Sequence, residues 1–291
     1  MLTRDCSDFP VPVRLPNTEQ WDIRSRAGRP YRIFLGWPDT PMPREGWDVV
    51  YLLDGNAWFG TLVDSLRMRA RRPDVTGVRP AVAVGIGYPT EEVVDVARRR
   101  FDLTPPRSGG AADDCDIGGA DAFLDFLTDE LGPLIDARFG LTSQRRVLFG
   151  HSFGGLFVLH TVLTRPSAFA AYAAASPSLW FDDRALLQTC AATPLALSVP
   201  LMIAVGSLEE PVAPPSCRAE CEPLDHAALD REAPDRAMIA NARALAGHLG
   251  RSTGTDREVQ FHVFEGENHA SVVPVALGRA LPLLLANSGA A

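Results

Sequence analysis

The sequence lacks the features that mark membrane, exported and repeat proteins. No apolar run approaches the roughly 18 residues of a membrane-spanning helix, and the N-terminal stretch MLTRDCSDFPVPVRLPNTEQ holds no apolar signal-peptide core. No internal repeat with a period of about 20–50 residues is present. Basic residues are outnumbered by acidic ones, 28 against 36, which gives a formal net charge of -8. We therefore expect a cytoplasmic protein that binds neither nucleic acid nor anionic membranes.

Cysteine is also scarce and unpaired in its pattern. The five cysteines are scattered along the chain: Cys6, Cys115, Cys190, Cys217 and Cys221. Without an export signal, reduced thiols are expected. Cys217 and Cys221 lie close to His226 in sequence, but this spacing matches no standard zinc finger, and a fourth ligand is not evident. We therefore predict no metal site.

The residues that are present indicate an α/β fold. Hydrophobic residues make up 46% of the chain, enough for a large core. Short apolar runs such as WDVVYLLDG, AVAVGIGY, RRVLFGHS, PLMIAVGS and VQFHVFEG alternate with longer segments of helical periodicity. These segments include ADAFLDFLTDELGPLIDARF and DRAMIANARALAGHLG, the second of which we expect to end at Gly250. Such alternation predicts a mostly parallel central sheet with helices on both faces, in a single domain over residues 1–291.

Residues 104–120 and 208–235 carry no periodicity and are rich in proline, glycine or acidic residues. Loops of this length inside a compact domain usually serve a function or are disordered. We therefore interpret residues 208–235 as a lid or a loop insertion rather than as a linker between domains.

The stretch VLFGHSFGGLFVLH contains the pattern Gly-x-Ser-x-Gly around Ser152. A strand precedes it and a helix follows it, which is the context of the nucleophile elbow in α/β-hydrolases. The turn is so sharp that side chains two residues before and after the serine would collide, so Gly150 and Gly154 fit the pattern. Ser152 is therefore the predicted nucleophile; the alternative is a glycine-rich turn whose serine has no role.

A serine needs a histidine to accept its proton, and in this fold the histidine comes last in chain order. Only His269, in FEGENHASVV, lies just after a late strand and before a helix. His151 adjoins the serine and is expected to point elsewhere. His269 is thus the predicted general base.

The acid that orients the histidine should follow the strand PLMIAVGS. Glu209 stands three residues after Gly206 and is the favoured residue, because a carboxylate there could hold the imidazole tautomer and offset its charge. Glu210, Asp225 and Asp230 remain alternatives, and each of these carboxylates could also be an ordinary surface residue.

An oxyanion hole requires backbone N–H groups aimed at the developing negative charge. Phe153, at the start of the helix after the serine, should supply one. The turn YLLDGNAWFG should supply the other from Asn56, with Gly55 permitting the turn. The sequence has no HGGG motif, so the small-lipase version of this hole is absent.

These motifs resemble those of the putative-esterase family of α/β-hydrolases, and within it the siderophore esterases that act on enterobactin-like trilactones. The similarity runs through YRIFLGWP, VVYLLDGNAWF, ARRRFDLTPP, GGADAFLDFLTDEL, GHSFGGLFVLH, ASPSLWF, NARALAGHL and FEGENHASV in order. Leu103 stands where the family has a tyrosine. The resemblance implies an α/β-hydrolase fold and no metal or organic cofactor for the hydrolysis itself.

A ferric catecholate siderophore is anionic, whereas this chain is acidic overall. The arginine run before FDLTP includes Arg99 and Arg100 and could focus positive potential at the cleft. Trp58 and Trp180 could stack on catechol rings. The alternatives are a solvated helix face for the arginines and core packing for the tryptophans.

We therefore predict a serine carboxylic-ester hydrolase, a monomer or small homo-oligomer, whose substrate is a small-molecule ester and in particular an anionic ferric catecholate siderophore. S-formylglutathione hydrolases and acetyl or feruloyl carbohydrate esterases share the same elbow, and acyltransferases similar to the mycolyltransferases need the same residues. A catalytically silent binding protein is the alternative without chemistry, which the intact Ser152 and His269 argue against.

Overall fold

The computed structural model describes residues 12–108, 116–141, 145–192, 197–209, 236–253 and 259–286. Within these residues, eight strands form a sheet in the order β1-β2-β4-β3-β5-β6-β7-β8. The strands are β1 (Thr18–Arg24), β2 (Pro30–Gly36), β3 (Asp48–Leu53), β4 (Ala81–Gly87), β5 (Arg146–His151), β6 (Ala171–Ala175), β7 (Leu201–Gly206) and β8 (Val259–Phe264).

The sheet is mostly parallel, as predicted. β1 pairs antiparallel with β2, and β2 antiparallel with β4, whereas every pairing from β4 through β3 to β8 is parallel. The carboxyl ends of the parallel strands therefore meet at one edge, where ligand sites form in such sheets.

The strands β1 and β6 were not expected from the sequence. β6 reads AYAAA, and alanine favours helices over strands, but all of its residues are buried between parallel neighbours. β1 reads TEQWDIR, an edge strand with exposed polar residues that carries no apolar run. β6 is a strand because its residues are buried between parallel neighbours, and β1 is a strand because it pairs with the edge of the sheet.

Helices cover both faces of the sheet. They are α1 (Gly55–Arg69), α2 (Pro73–Thr76), α3 (Val96–Leu103), α4 (Ala120–Asp125), α5 (Gly132–Phe139), α6 (Phe153–Thr164), α7 (Phe181–Ala192), α8 (Met238–Thr253) and α9 (Val272–Leu284). The apolar residues of α1 and α9 pack on one face, and those of α4, α5, α6 and α8 on the other. The architecture is that of an α/β fold with helices on both faces of the sheet, as the alternation of patterns predicts.

The predicted helix over ADAFLDFLTDELGPLIDARF forms as α4 and α5, joined by a π-helical turn over Phe126–Leu131. Pro133 follows this turn, where the wider winding accommodates a residue without an N–H group. The expectation that Gly250 ends a helix is wrong, since α8 continues to Thr253. Of the helices in the described part of the chain, none has both the length and the apolarity needed to span a membrane.

Candidate active site

The junction between β5 and α6 forms a sharp turn centred on Ser152. β5 ends at His151 and α6 begins at Phe153, and Ser152 between them has φ 60° and ψ -117°, a backbone conformation that L residues rarely adopt. A Cβ atom added to Gly150 would lie 2.3 Å from the carbonyl oxygen of Gly154. The glycine at position 150 is thus required by the close approach of strand and helix.

The backbone of Ser152 is held from both sides of the turn. Its N–H donates to the carbonyl of Ala175 at 3.0 Å, and its carbonyl accepts from the N–H groups of Leu156 at 3.0 Å and Ser178 at 3.1 Å. The Ser152 hydroxyl lies 3.3 Å from the hydroxyl of Ser178. These bonds to β6 and the turn after it stabilise the strained backbone and fix the direction of the Ser152 hydroxyl.

Glu209 and His269 form a hydrogen-bonded pair at the same edge of the sheet. Nδ1 of His269 lies 2.7 Å from Oε2 of Glu209, and Oε1 of Glu209 accepts from the Ser176 hydroxyl at 2.5 Å and the Gly206 N–H at 2.7 Å. Glu209 ends the short 3-10 turn Ser207–Glu209 after β7, and its side chain is only 2% exposed. Both oxygens of this carboxylate therefore accept hydrogen bonds, three in all.

The environment keeps Glu209 ionised. Burial by itself raises the pKa of a carboxyl group, but the hydrogen bonds from His269, Ser176 and Gly206 and the charge of His269 outweigh it, so the pKa of Glu209 lies below its ordinary value. Because the carboxylate accepts a hydrogen bond from the Nδ1–H group of His269, Nε2 of that ring carries the free lone pair in the neutral tautomer.

His151 contacts the loop that carries His269. Its Nε2 lies 2.7 Å from the His269 carbonyl oxygen, and the two ring centroids are 4.6 Å apart. Since a carbonyl only accepts, Nε2 of His151 carries a proton. Burial, followed by the nearby His269 and Arg99 charges, holds the pKa of His151 well below its ordinary value. The expectation that His151 points away from the site is wrong.

The imidazole of His269 therefore lies beside the turn that carries Ser152. Among the described residues, Nε2 of His269 has no hydrogen-bond partner, and its side chain is 42% exposed. The Ser152 hydroxyl is turned toward Ser178 rather than bonded to His269. Hydrogen bonds between catalytic groups often form only once a substrate is bound, so this arrangement is compatible with proton transfer between the two side chains.

The turn after β3 approaches the same region. Asp54 has a left-handed backbone, with φ 55° and ψ 47°, and directly precedes α1. A Cβ atom added to Gly55 would lie 2.8 Å from the backbone carbon of Gly85, so β4 leaves room there only for glycine. The N–H groups of Asn56 and Phe153 lie in the first turns of α1 and α6, where helix geometry leaves backbone donors without an intrahelical partner.

The side chain of Asn56 anchors this turn to the end of β4. Its Oδ1 accepts from the Tyr88 N–H at 2.8 Å, and its Nδ2 donates to the carbonyls of Tyr88 at 3.0 Å and Thr90 at 3.3 Å. The amide thus binds both the backbone N–H and the backbone carbonyl of Tyr88, which fixes the first turn of α1 relative to the sheet.

The arginines of α3 have different surroundings. Arg99 donates two hydrogen bonds to Asp54, at 2.8 and 3.0 Å, and its charge is therefore compensated. Arg100 is half-buried, and no ion pair or hydrogen bond of its guanidinium occurs among the described residues. Of these two predicted contacts, Arg99 has a carboxylate partner, and Arg100 has none within the described part of the chain.

The two predicted aromatic contacts also differ. Trp180 lies beside the nucleophile turn, 5.9 Å from the Phe153 ring between centroids, and the Arg236 guanidinium carbon lies 4.9 Å from the centre of its ring. Trp58, in α1, packs partly buried against the core cluster that includes Val272. This packing is the alternative to stacking on a ligand that the sequence leaves open for Trp58.

The sequence did not assign a role to Ser176, Ser178 or Asp54. Both serines belong to the stretch ASPSLWF, which begins at the last residue of β6. The two serines on either side of a proline were the signal in the sequence that could have indicated their role. Ser176 is fully buried with φ 43°, and Ser178 is 1% exposed. Buried serines at the carboxyl end of a parallel strand need a partner, which here is Glu209 or Ser152.

Other predicted groups lie outside the site or outside the described residues. Glu210, Asp225 and Asp230 belong to the second category, as do Cys217, Cys221 and His226. In the part of the chain that is described, no group of three or more His, Cys, Asp or Glu side chains could hold a metal ion. A cavity of about 530 Å³ lies near the carboxyl end of β2 and the amino end of β4, at the edge of the sheet opposite the site. It is lined in part by Gly36 and Ala81 and shares no residue with the site.

Comparisons with known proteins show the family to which this chain belongs. The sequence matches the family described as "Putative esterase" over residues 25–262. It is 37% identical to the siderophore triacetylfusarinine C esterase of Aspergillus fumigatus, over 95% of this chain and 96% of that one, and 36% identical to the ferri-bacillibactin esterase of Bacillus subtilis, over 94% and 92%. The structure superposes on a siderophore hydrolase of Aspergillus nidulans with a TM-score of 0.80 at 32% identity, over 98% of this chain and 99% of that one. The chain therefore belongs to this esterase family and is a carboxylic-ester hydrolase with the α/β-hydrolase fold.

Proposed function

We propose that this enzyme hydrolyses the ester bonds of a siderophore, with Ser152 as nucleophile, His269 as general base and Glu209 as the residue that orients His269. The observation that carries the catalytic assignment is the 2.7 Å hydrogen bond between Glu209 and Nδ1 of His269, on a loop that contacts His151 directly before the strained serine. Substrate class is inferred from the relatives, which act on siderophores by name.

In the first half of the reaction, the Ser152 hydroxyl attacks the ester carbonyl while Nε2 of His269 takes its proton. The N–H groups of Asn56 and Phe153 accommodate the negative charge that develops on the carbonyl oxygen. His269, now an imidazolium, then donates this proton to the departing alcohol, which leaves an acyl group on Ser152. The ionised carboxylate of Glu209 offsets the positive charge of the imidazolium throughout.

In the second half, His269 takes a proton from water, and the hydroxide attacks the acyl carbonyl through the same oxyanion contacts. Return of the proton to Ser152 releases the carboxylic acid and restores the enzyme. Each half uses the same base and the same donors, so the chemistry needs no group that these residues do not supply.

The chemistry of a ferric catecholate fits the rim of this site. Trp180 presents an aromatic ring beside Phe153, and Arg236 lies on that ring, so a π-rich ligand would meet an aromatic and cationic surface. Arg100 adds a positive charge in the last turn of α3 that meets no carboxylate among the residues the structure describes. A local positive region can attract an anionic chelate to a protein whose formal net charge is -8.

The nucleophile is tested by replacing Ser152 with alanine. Ser152→Ala should fold normally, lose hydrolysis of p-nitrophenyl acetate by several orders of magnitude and lose covalent labelling by a fluorophosphonate probe. Ser167→Ala, which removes an exposed hydroxyl from the 3-10 turn Pro166–Ala168 after α6, serves as the matched control and should retain both properties. Labelling of Ser152→Ala at the wild-type rate would remove this serine from the mechanism.

The substrate is tested by product analysis on a panel of esters. Ferric and metal-free enterobactin-type trilactone, triacetylfusarinine C, p-nitrophenyl acetate, an acetylated sugar and the thioester S-formylglutathione should be compared at equal enzyme concentration. We expect kcat/KM to be highest for a siderophore ester. A higher value for the acetylated sugar or for a glutathione thioester would reassign the substrate class and leave the serine mechanism intact.

A further inference from the structure

Arg99 connects the two segments that carry the proposed oxyanion donors. Its Nε and Nη2 donate to Oδ1 and Oδ2 of Asp54 at 2.8 and 3.0 Å, a bidentate arrangement that fixes both groups in one plane. The guanidinium carbon also lies 5.5 Å from the centre of the Phe153 ring. One side chain therefore contacts the residue before Gly55 and Asn56 on one side and the residue after Ser152 on the other.

The backbone of Asp54 explains why this contact matters for geometry. Asp54 is left-handed, with φ 55°, and its side chain makes no capping hydrogen bond to α1. An aspartate at the start of a helix usually caps the helix. Here the carboxylate turns away from the helix and toward Arg99, so the ion pair helps to hold the unusual turn that directs the Asn56 N–H. The Asn56 side chain secures the other end of that turn on Tyr88.

The Arg99–Asp54 pair is closed to substrate anions. The side chains are 13% and 6% exposed. Burial by itself lowers the pKa of Arg99, but Asp54 outweighs it, and the pKa of Arg99 rises above its ordinary value. The guanidinium of Arg99 thus stays charged, and both of its contacts to Asp54 are made inside the protein. An anion that displaced Asp54 would leave a buried carboxylate without its partner, which is strongly unfavourable.

We propose that Arg99 is a positioning residue for the oxyanion hole rather than a contact for the substrate's charge. The proposal rests on the proposed function, because it assumes ester hydrolysis through the Asn56 and Phe153 donors. Arg99 acts through Asp54 on the first of these donors and through the Phe153 ring on the second. Because such donors stabilise the transition state only when aligned with the oxyanion, Arg99 should affect kcat more than KM.

The principal test replaces Arg99 with lysine. Lysine keeps the positive charge that compensates Asp54 but cannot form the bidentate contact or stack its head group in the same plane. We expect kcat to fall about 10- to 100-fold with both p-nitrophenyl acetate and a ferric trilactone, since a misaligned donor is less costly than a deleted one. KM should stay within about threefold for both substrates.

Arg98→Lys is the matched control, because it makes the same change on the preceding residue of α3. Arg98 pairs with Asp102 at 3.5 Å and donates to the Pro30 carbonyl, away from Asp54. Arg98→Lys should keep kcat within about threefold of wild type. Thermal unfolding should be measured for Arg98→Lys and Arg99→Lys to compare their stability. A comparable loss of kcat in Arg98→Lys would mean that α3 is simply disturbed, and would overturn the proposal.

A double-mutant cycle provides the second measurement. Asp54→Asn combined with Arg99→Gln keeps a neutral hydrogen-bonding pair and leaves no buried charge, so the double variant should fold even where a single variant is unstable. If Arg99 acts on the Asn56 donor through Asp54, the double variant loses no more kcat than Arg99→Gln alone. Losses that multiply in the double variant would show independent actions and refute this coupling.

The outcomes also separate this proposal from the proposed function. A rise in KM for the ferric trilactone alone, with kcat preserved in Arg99→Lys, would make Arg99 a substrate contact and overturn the positioning role. An inactive wild-type enzyme on every ester of the panel would instead overturn the proposed function. Loss of kcat on both substrates in Arg99→Lys, with active wild type and active Arg98→Lys, supports the positioning role.

Discussion

Replacing Glu209 with glutamine tests the proposed triad through the atoms that surround this one side chain. Oε1 of Glu209 faces the hydroxyl of Ser176 and the N–H of Gly206, and Oε2 faces Nδ1 of His269. A glutamine amide offers one acceptor and one donor group. If its NH₂ faces Gly206, two donors meet; if it faces His269, Nδ1 must accept and Nε2 carries the proton. In this second orientation, His269 cannot take a proton from Ser152, because its Nε2 is already protonated.

The magnitude follows from the charge that is removed. Opposite unit charges about 4 Å apart attract by about 4 kcal/mol at an effective dielectric of about 20. The His269 side chain is 42% exposed, so solvent screening lowers this value, and we take about 2–3 kcal/mol for the lost stabilisation of the imidazolium. At about 1.4 kcal/mol per tenfold, Glu209→Gln should reduce kcat about 30- to 150-fold.

The assay is the kcat of p-nitrophenyl acetate hydrolysis, with fluorophosphonate labelling as a measure of nucleophile activation. Glu265→Gln is the matched control, because this glutamate is exposed in the loop between β8 and His269. It should behave as wild type. A Glu209→Gln enzyme with kcat within about threefold of wild type would refute the role of Glu209, and Glu210, Asp225 and Asp230 would then have to be tested.

Acid stability gives an independent measure of the same carboxylate. The pKa of Glu209 is lower in the folded protein than in the unfolded chain, so its contribution to stability is present above the unfolded pKa of roughly 4.3. That contribution is lost as the pH falls through the lower folded pKa. The melting temperature of Glu209→Gln should therefore decrease less steeply with acidification than that of the wild type. Equal slopes would contradict the direction of this pKa shift.

Further predictions concern the elbow and its neighbour. Gly150→Ala places a methyl group against the Gly154 carbonyl at 2.3 Å, so it should destabilise the fold by several kcal/mol or prevent soluble expression. Gly250→Ala is the control, because its added Cβ meets nothing within 4 Å, and it should raise the melting temperature. His151→Phe keeps an aromatic ring but loses the donor to the His269 carbonyl, so kcat should fall about tenfold with KM unchanged. His151→Gln keeps a donor, so its kcat should lie between those of His151→Phe and the wild type. Equal activity of these two His151 variants would show that the hydrogen bond has no role.

The local parts of the site were accessible from sequence because their physical causes are local. The strain at Ser152 arises between residues 150 and 154, and the glycines that it requires stand in the same short stretch. The predicted position of His269 came from the order of strands along the chain, because the carboxyl ends of parallel strands share one edge. The fold class followed from the alternation of strand and helix patterns, which the sheet topology confirms.

The partnerships across the sheet could be decided only by the tertiary structure. Glu209 and His269 are 60 residues apart, and Arg99 and Asp54 are 45 apart. Whether such side chains meet depends on which strands are neighbours, how each turn is aimed and which polar groups remain to be satisfied after burial. Sequence patterns carry periodicity and local strain but no distances between turns, so they could not show that the Arg99 guanidinium pairs with Asp54. The order of apolar patterns and glycines in the sequence determines a buried parallel sheet and a strained serine turn, whereas the tertiary packing determines which group pairs with each charge.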